Sequence, residues 1–304
     1  MQTDIMEHPA RSKTEELVPS RYAVRIGDIE VLVISDGILP LPIETMSTNV
    51  DPTIRTAWFK EMFLGADKFD WALNVLVVRS GDRIILVDAG LGGQFAGFPR
   101  AGQFPKRLEA AGIDLASVTD VVLTHMHMDH VGGLLVDEVK QRLRPDLRIH
   151  VSATEVAFWE APDFSRTEMP SPVPEVLRST AAQFAKDYAG KLRTFDESHE
   201  VAPGVTVERT GGHTPGHSIV RVTSGGERLT FAGDALFPVA FDHPEWHNGF
   251  EHDPEEAVRV RIRLLQEVAA SGEILVATHM PFPSVGRVAA DGNHFRWVAA
   301  FWDY

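Results

Sequence analysis

The chain contains no cysteine among its 304 residues. Disulfides are excluded, and so is any thiolate ligand to a metal. Basic residues are scarce as well: 29 Lys and Arg against 43 Asp and Glu leave a formal net charge of −14. A surface that acidic repels phosphate backbones, which argues against nucleic acid as a partner. Long apolar runs are also missing. The opening stretch MQTDIMEHPARSKTEELVPS holds no hydrophobic core of signal-peptide length, and nothing reaches the roughly 20 apolar residues that a membrane helix needs. The expectation is a soluble, cytoplasmic protein with no membrane partner. What is present is an ordinary globular balance, 44% hydrophobic and 24% charged, in a chain long enough to bury a sizeable core.

Residues 1–20 are polar with scattered proline and read as a flexible N-terminal arm. Residues 22–35 alternate around Gly27-Asp28 and predict a hairpin closed by Ser35-Asp36-Gly37. Asp51-Pro52 predicts an N-cap and first turn for a short helix to about Met62. The segment 74–90 predicts a second hairpin turning at Ser80-Gly81-Asp82 and ending at Asp88 and Gly90. Ser152-x-x-Glu155 has the form of a capping box for a helix to about Trp159. A helix over about 174–188 follows. A well-capped one opens at Asp253 and ends at Gly272, with Ala257, Val258, Ile262, Leu265, Val268 and Ala269 suited to one buried face. The run 217–235 echoes the hairpin at 74–90, down to an Asp beside Gly and Ala. Two similar half-domains would pack sheet to sheet with helices outside.

The stretch that carries chemistry is residues 121–133, VVLTHMHMDHVGG. A short apolar strand runs into His125, His127, Asp129 and His130, four potential metal ligands within six residues, and ends in a glycine pair. Imidazole nitrogens and carboxylate oxygens suit zinc and similar borderline cations. Strand-like alternation would put His125, His127 and Asp129 on one side and His130 on the other. One cation cannot easily take all four from so short a loop, whereas two can. A two-metal site takes on the order of seven protein ligands. His213, Asp234 and His279, each in a loop beside an apolar run, supply the remainder.

H-x-H-x-D-H after an apolar strand, followed by G-G, resembles the metallo-β-lactamase fold superfamily. The supporting stretches are Ser35-Asp36-Gly37, LVDAG (86–90), GGHTPGHS (211–218), AGDALF (232–237) and ATHMPFP (277–283). The resemblance extends over roughly residues 22–304 and is nearest to the branch of methyl parathion hydrolase and the N-acyl homoserine lactone lactonases. It implies an α/β fold, the αβ/βα four-layer sandwich, with one hydrolase domain over 21–304. It also implies a homodimer and two divalent metal ions per chain, most often zinc, with manganese, iron or cobalt as alternatives. By resemblance His125, His127 and His213 hold the first metal, Asp129, His130 and His279 the second, and Asp234 bridges them. A hydroxide held between metals roughly 3.5–4 Å apart would be the nucleophile, with Asp129 steering its proton. Asp88, at the end of a neighbouring strand, is expected to accept the free N–H of a metal-bound histidine.

The ligand set implies hydrolysis of an ester, lactone or phosphotriester of a small, partly apolar substrate. Phe95, Trp159 and Phe237 are expected as an aromatic pocket wall. The lactonases carry a tyrosine three residues past the bridging Asp, where this chain has Phe237, a departure that points away from a phenol-assisted mechanism. The alternatives are a glyoxalase II-like thioester hydrolase and an iron-binding redox member of the fold. His217 opens a strand and reads as a locally bonded residue rather than a ligand. His243, His247 and His252 fall in a polar loop and read as surface or pocket-rim histidines.

Overall fold

The structure, a computed structural model, describes residues 18–292 and 294–301. Most of the expected N-terminal arm therefore lies outside the described residues. The first half contains β1 (Arg21–Ile26), β2 (Ile29–Pro42), α1 (Pro52–Glu61), β3 (Lys68–Ser80), β4 (Arg83–Val87), α2 (Phe104–Ala110), β5 (Asp120–Val122), α3 (Met128–Val131) and α4 (Asp137–Lys140). It continues with β6 (Arg148–Ser152), α5 (Ala153–Glu160), α6 (Val173–Tyr188) and β7 (Leu192–Phe195). The second half contains β8 (Ser198–Ala202), β9 (Val205–Arg209), β10 (Ser218–Ser224), β11 (Glu227–Phe231), α7 (Pro254–Ser271), β12 (Ile274–Val276), β13 (Gly286–Asp291) and β14 (His294–Ala299).

Strands β1 to β7 form one sheet in sequence order, and β8 to β14 form a second. Their faces are set by alternation. On β2, Val31 and Val33 turn toward the other sheet, while Leu32 and Ile34 turn toward the helices; Ile85 and Val87 alternate with Leu86 on β4 in the same way. The inter-sheet layer is mostly Val, Ile and Leu from both sheets, as expected of strands buried on both faces. α6 presents Leu177, Ala181, Phe184 and Tyr188, at the helical period, to the apolar layer outside the first sheet, packing beside α3 and α5. On the second sheet, Val260, Leu264, Leu265 and Val268 of α7 do the same. The result is the αβ/βα four-layer sandwich.

The echo between the halves is real at the level of topology. In each sheet four antiparallel strands lead into a parallel pair, β4 with β5 and β11 with β12. Asp88 follows β4 as Asp234 follows β11, and Thr124-His125-Met126 follows β5 as Thr278-His279-Met280 follows β12. Parallel neighbours end on the same edge, so the ligand-bearing loops collect there.

Three expectations about elements need correction. β2 does not close at Ser35-Asp36-Gly37. The pairing with β3 shifts between Ser35 and Gly37 and continues to Pro42. This bulge turns Asp36 inward, where its carboxylate accepts from the Leu91, Gly102 and Phe104 N–H groups. Second, the buried face of α7 includes Arg261, while Val258, Ile262 and Ala269 are only half-buried. Third, Ser152 makes no capping bond at the start of α5, and Glu155 is spent elsewhere.

Candidate metal centre

The motif loop leaves β5 at Val122 and is pinned at once. Thr124 donates its N–H to Asp88 Oδ1 (2.9 Å) and its hydroxyl to Asp88 Oδ2 (2.9 Å). α3 begins at Met128, so strand alternation does not govern Asp129 and His130. A helical turn rotates them, and both reach the same cluster as His125 and His127. The glycine pair that follows has a steric cause. A Cβ on Gly132 would sit 2.0 Å from the Leu91 carbonyl oxygen, and one on Gly133 would sit 1.9 Å from that of Ala89. The motif can press against the 88–91 segment only without side chains at these positions.

His213 arrives from the loop between β9 and β10, Asp234 from the turn after β11, and His279 from the loop after β12. Their ligand atoms converge with those of the motif. His125, His127 and His213 form one group, Asp129, His130 and His279 another, and His125 and His130 share Asp234 in a third, with the atoms of each group within 4.8 Å of one another. Asp234 Oδ2 lies 2.9 Å from His279 Nε2 and 3.4 Å from His213 Nε2, and Oδ1 lies 3.3 Å from His130 Nε2. Asp234 therefore stands between the two clusters.

The outward edges of the imidazoles decide what the inward edges offer. His279 Nδ1 donates to the Ala72 carbonyl (2.8 Å). His130 Nδ1 donates to Asp88 Oδ2 (2.8 Å), the role expected of Asp88. Because the Thr124 hydroxyl is committed as a donor to Asp88, His125 Nδ1 donates to it (3.1 Å). With Nδ1 so engaged, each of these rings in its neutral form turns an Nε2 lone pair toward the cluster. His125 Nε2, His130 Nε2 and Asp234 Oδ1 are buried without a hydrogen-bond partner. Buried polar atoms are rarely left so. Five imidazoles and two carboxylates aimed inward, with partnerless acceptors among them, fit divalent metal ions.

The electrostatics agree. Burial and the neighbouring imidazoles push His125 and His127 well below the ordinary histidine range, and burial does the same for His213, so these rings are neutral and their lone pairs are available to a metal. Burial opposes ionisation of Asp234, but the adjoining His279 and His130 outweigh it and hold the carboxyl well below its usual range. Burial disfavours a charged His130 too, yet Asp234, Asp88 and Asp129 together raise it well above its usual value. A cation bound at this edge would have to displace the proton that these carboxylates favour on His130.

Several supporting residues carried no ligand signal in the sequence. Glu155, read as a capping box, is fully buried and accepts four bonds. They come from Met126 N (2.9 Å), Trp159 Nε1 (2.7 Å), Thr214 Oγ1 (2.7 Å) and Gly216 N (3.1 Å). It joins the loop of His125 and His127 to the loop of His213. His217 accepts from Asp234 N at Nε2 (3.1 Å), while its Nδ1 meets Thr210 Oγ1 (2.8 Å), so it bonds locally as expected. Asn74 on β3 donates to the Thr278 (2.9 Å) and Met280 (2.7 Å) carbonyls on either side of His279. Arg261 pairs with Glu251 and also donates to the Ala235, Pro244 and Trp246 carbonyls, fixing the chain that follows Asp234.

His252 departs from the expectation of a rim or surface residue. It is buried, with Nε2 3.4 Å from His127 Nε2. His243 stacks on Trp246 (4.0 Å), and neither it nor His247 reaches the cavity.

Over the cluster lies a largely apolar cavity. Leu39, Leu41, Trp71, Phe98, Met128, Val173, Leu177 and Phe250 line it together with His127, Asp129, His213, Asp234 and His279. Phe95, Trp159 and Phe237 do not line it, which corrects the expected wall. Phe237 stacks flat behind His279 (5.7 Å). Trp159 is drawn behind His127 by its bond to Glu155. Phe95 packs into the helix-side core. The ring wall is supplied by Trp71 instead, which meets His279 edge-on (4.8 Å) and Phe237 at 5.0 Å.

The sequence profile of the metallo-beta-lactamase superfamily matches residues 70–279. Probable metallo-hydrolases of Mycobacterium tuberculosis and Mycobacterium bovis are each 28% identical over 193 residues, covering 54% of this chain and 56% of theirs. The chain thus spans little more than half the length of these curated relatives. Among solved structures, AidC, a dizinc quorum-quenching lactonase in complex with a product, superposes with a TM-score of 0.86 at 24% identity, over 94% of this chain and 99% of that one. AbOPH, a hydrolase of the beta lactamase superfamily, does so with a TM-score of 0.83 at 25% identity, over the same shares. The likeness to AidC is one of fold.

Proposed function

Since the chain belongs to the metallo-beta-lactamase superfamily, we propose that it is a binuclear metal-dependent hydrolase of uncharged, partly apolar substrates, cleaving a lactone, carboxylic ester or phosphotriester. His125, His127 and His213 would hold one ion, Asp129, His130 and His279 the other, with Asp234 shared. Zinc is the ion this donor set suits best, with manganese, iron and cobalt as alternatives. Bound ions of this kind polarise a carbonyl or phosphoryl oxygen and bring the pKa of coordinated water toward about 7.

The chain's own contribution is orientation, proton handling and exclusion of water. Asp88, Thr124 and the Ala72 carbonyl keep lone pairs of His130, His125 and His279 turned inward. Asp129 borders the cavity and would take the proton released during attack. Trp71, Phe98, Phe250 and the aliphatic residues would seat an acyl chain or an aryl leaving group.

The observation that carries the substrate reading is the charge of the lining. Among the described residues, the cavity wall holds no lysine or arginine and two carboxylates. Away from the metal ions, the carboxylates of a glutathione moiety would find no lysine or arginine on that wall to pair with, and a neutral ester needs none. That AidC, a quorum-quenching lactonase, shares this fold is in keeping with the same reading.

The test pairs metal content with rates on an N-acyl homoserine lactone, an aryl ester, a dialkyl aryl phosphate and an acyl-glutathione. About two metals per chain and turnover of at least one of the first three, with no thioesterase activity, is the expected result. Turnover of the thioester alone would overturn the reading, as would iron-dependent oxygen consumption without hydrolysis.

A further inference from the structure

His127 differs from the other histidines of the cluster. Its Nδ1 is the atom that faces inward, 3.1 Å from His213 Nε2, so its Nε2 points away and needs an acceptor. The atom waiting there is His252 Nε2, at 3.4 Å. The far nitrogen of His252, Nδ1, lies 3.1 Å from the Asp163 carbonyl oxygen. A carbonyl oxygen only accepts, so His252 Nδ1 carries the proton and His252 Nε2 carries a lone pair. His127 Nε2 must then donate, and His127 Nδ1 is left free to bind a cation. One backbone carbonyl thus fixes two tautomers in series.

We infer that His252 is a positioning residue for the metal centre, setting the tautomer and ring orientation of His127 and tying it to His213. This rests on the reading of His127 as a metal ligand. The tie to His213 is made by the backbone, since His252 N donates to the His213 carbonyl (2.8 Å) and Asp253 N donates to that of Gly212 (3.0 Å). One residue therefore touches two of the three histidines assigned to the first ion. Its own ring is held in an aromatic box, with Phe158 at 4.9 Å, Phe164 at 5.2 Å and Trp159 at 6.3 Å. That packing buries the imidazole against three aromatic rings.

The experiment has a variant arm and a wild-type arm. His252→Phe fills the box but offers no acceptor; His252→Gln restores an acceptor and a donor. Metal affinity is read by chelator competition, and the first-site ligand field by the visible spectrum of the cobalt-loaded protein. Thermal midpoints of the metal-free forms report folding. The expected result is a loss of roughly 10–100-fold in affinity for one of two ions in His252→Phe, with the second ion little affected and partial recovery in His252→Gln. Independently of any variant, long-range proton–nitrogen NMR of the metal-free wild type should find His252 protonated at Nδ1 and His127 at Nε2. The opposite tautomers overturn the proposal, as does a folded His252→Phe protein with wild-type affinity and spectrum. If the wild type itself binds no cation, the reading of the whole site fails, and this proposal with it. If the wild type binds two and His252→Phe matches it, only the role of His252 fails.

Discussion

Replacement of Glu155 puts a number on how much of the metal centre depends on a residue that touches no ligand atom. Its two oxygens meet four donors, two at each oxygen. Burial pushes this carboxyl up, and the donors from Thr214, Trp159, Met126 and Gly216 oppose it. In Glu155→Gln the remaining oxygen can serve Met126 N and Trp159 Nε1. The new amide then faces the Thr214 hydroxyl, which can accept, and the Gly216 N–H, which cannot. One stranded buried donor costs about 1–3 kcal/mol, lessened by removal of the buried charge. Glu155→Ala strands all four. Even with water reaching some of them, the loss is on the order of 3–6 kcal/mol. Urea unfolding of the metal-free proteins should reproduce that order, with Ala well below Gln and Gln slightly below wild type. Metal titration should show the ion of His125, His127 and His213 weakened before the other, since those loops are the ones the carboxylate joins. Gly216→Ala should act on the same clamp, because its Cβ would come 2.2 Å from the Glu155 backbone nitrogen. A Glu155→Ala protein as stable as wild type, or one that loses both ions equally, would refute the reasoning.

Asp88→Asn should leave its oxygen on Thr124 N and turn its amide toward His130, so that a proton moves to His130 Nε2. Loss of about 10–100-fold in affinity for the second ion by chelator competition is expected, and unchanged affinity would refute it. Burial raises the Asp36 carboxyl from 3.8 to about 6, against donation from Leu91, Phe104 and Gly102. The folded protein then keeps a proton that the unfolded chain has lost between those pH values, so this group lowers stability as pH rises through the window, by up to about 3 kcal/mol. The stability difference between wild type and Asp36→Asn, from urea unfolding at pH 4 and pH 7, should shrink by that order; a difference independent of pH contradicts it. Val173→Lys places a cation at the half-buried edge of the cavity. It should lower kcat/KM for neutral substrates on the order of tenfold and favour anionic ones, with metal content unchanged. An unaltered preference between neutral and anionic esters would remove Val173 from the substrate path.

What could be read from the sequence was chemistry packed into short stretches. The motif at 125–130, its glycine pair and the strand-end positions of Asp88, Asp234 and His279 all depend on local context, and each residue falls in the cluster or directly on it. What escaped depends on partners far along the chain. Glu155 satisfies a capping-box pattern, and its true donors at 126, 214 and 216 carry no local sign of it. His252 is visible as a histidine, but its partner His127 is 125 positions away. The pocket wall was missed for a related reason. A neighbourhood can be assigned from the sequence, but not which side of it a ring occupies. Trp159 is within reach of the site and is held behind it by its own N–H. Leu39 and Leu41 enter only because β2 continues beyond the bulge at Asp36, an inward turn that an alternation pattern reads as an end.

Leu39 and Leu41 on β2, Val173 and Leu177 on α6, and Phe98 and Phe250 in loops share one property: none of these elements contributes a ligand atom. Much of the apolar wall therefore lies on elements separate from those that carry the candidate ligands. A substitution on β2 or α6 can reshape what is admitted while the donors, their tautomers and their charges stay as they are. On the proposed function, such a layout would let a lineage exchange one leaving group for another by drift in a few aliphatic positions while the donor set stays intact.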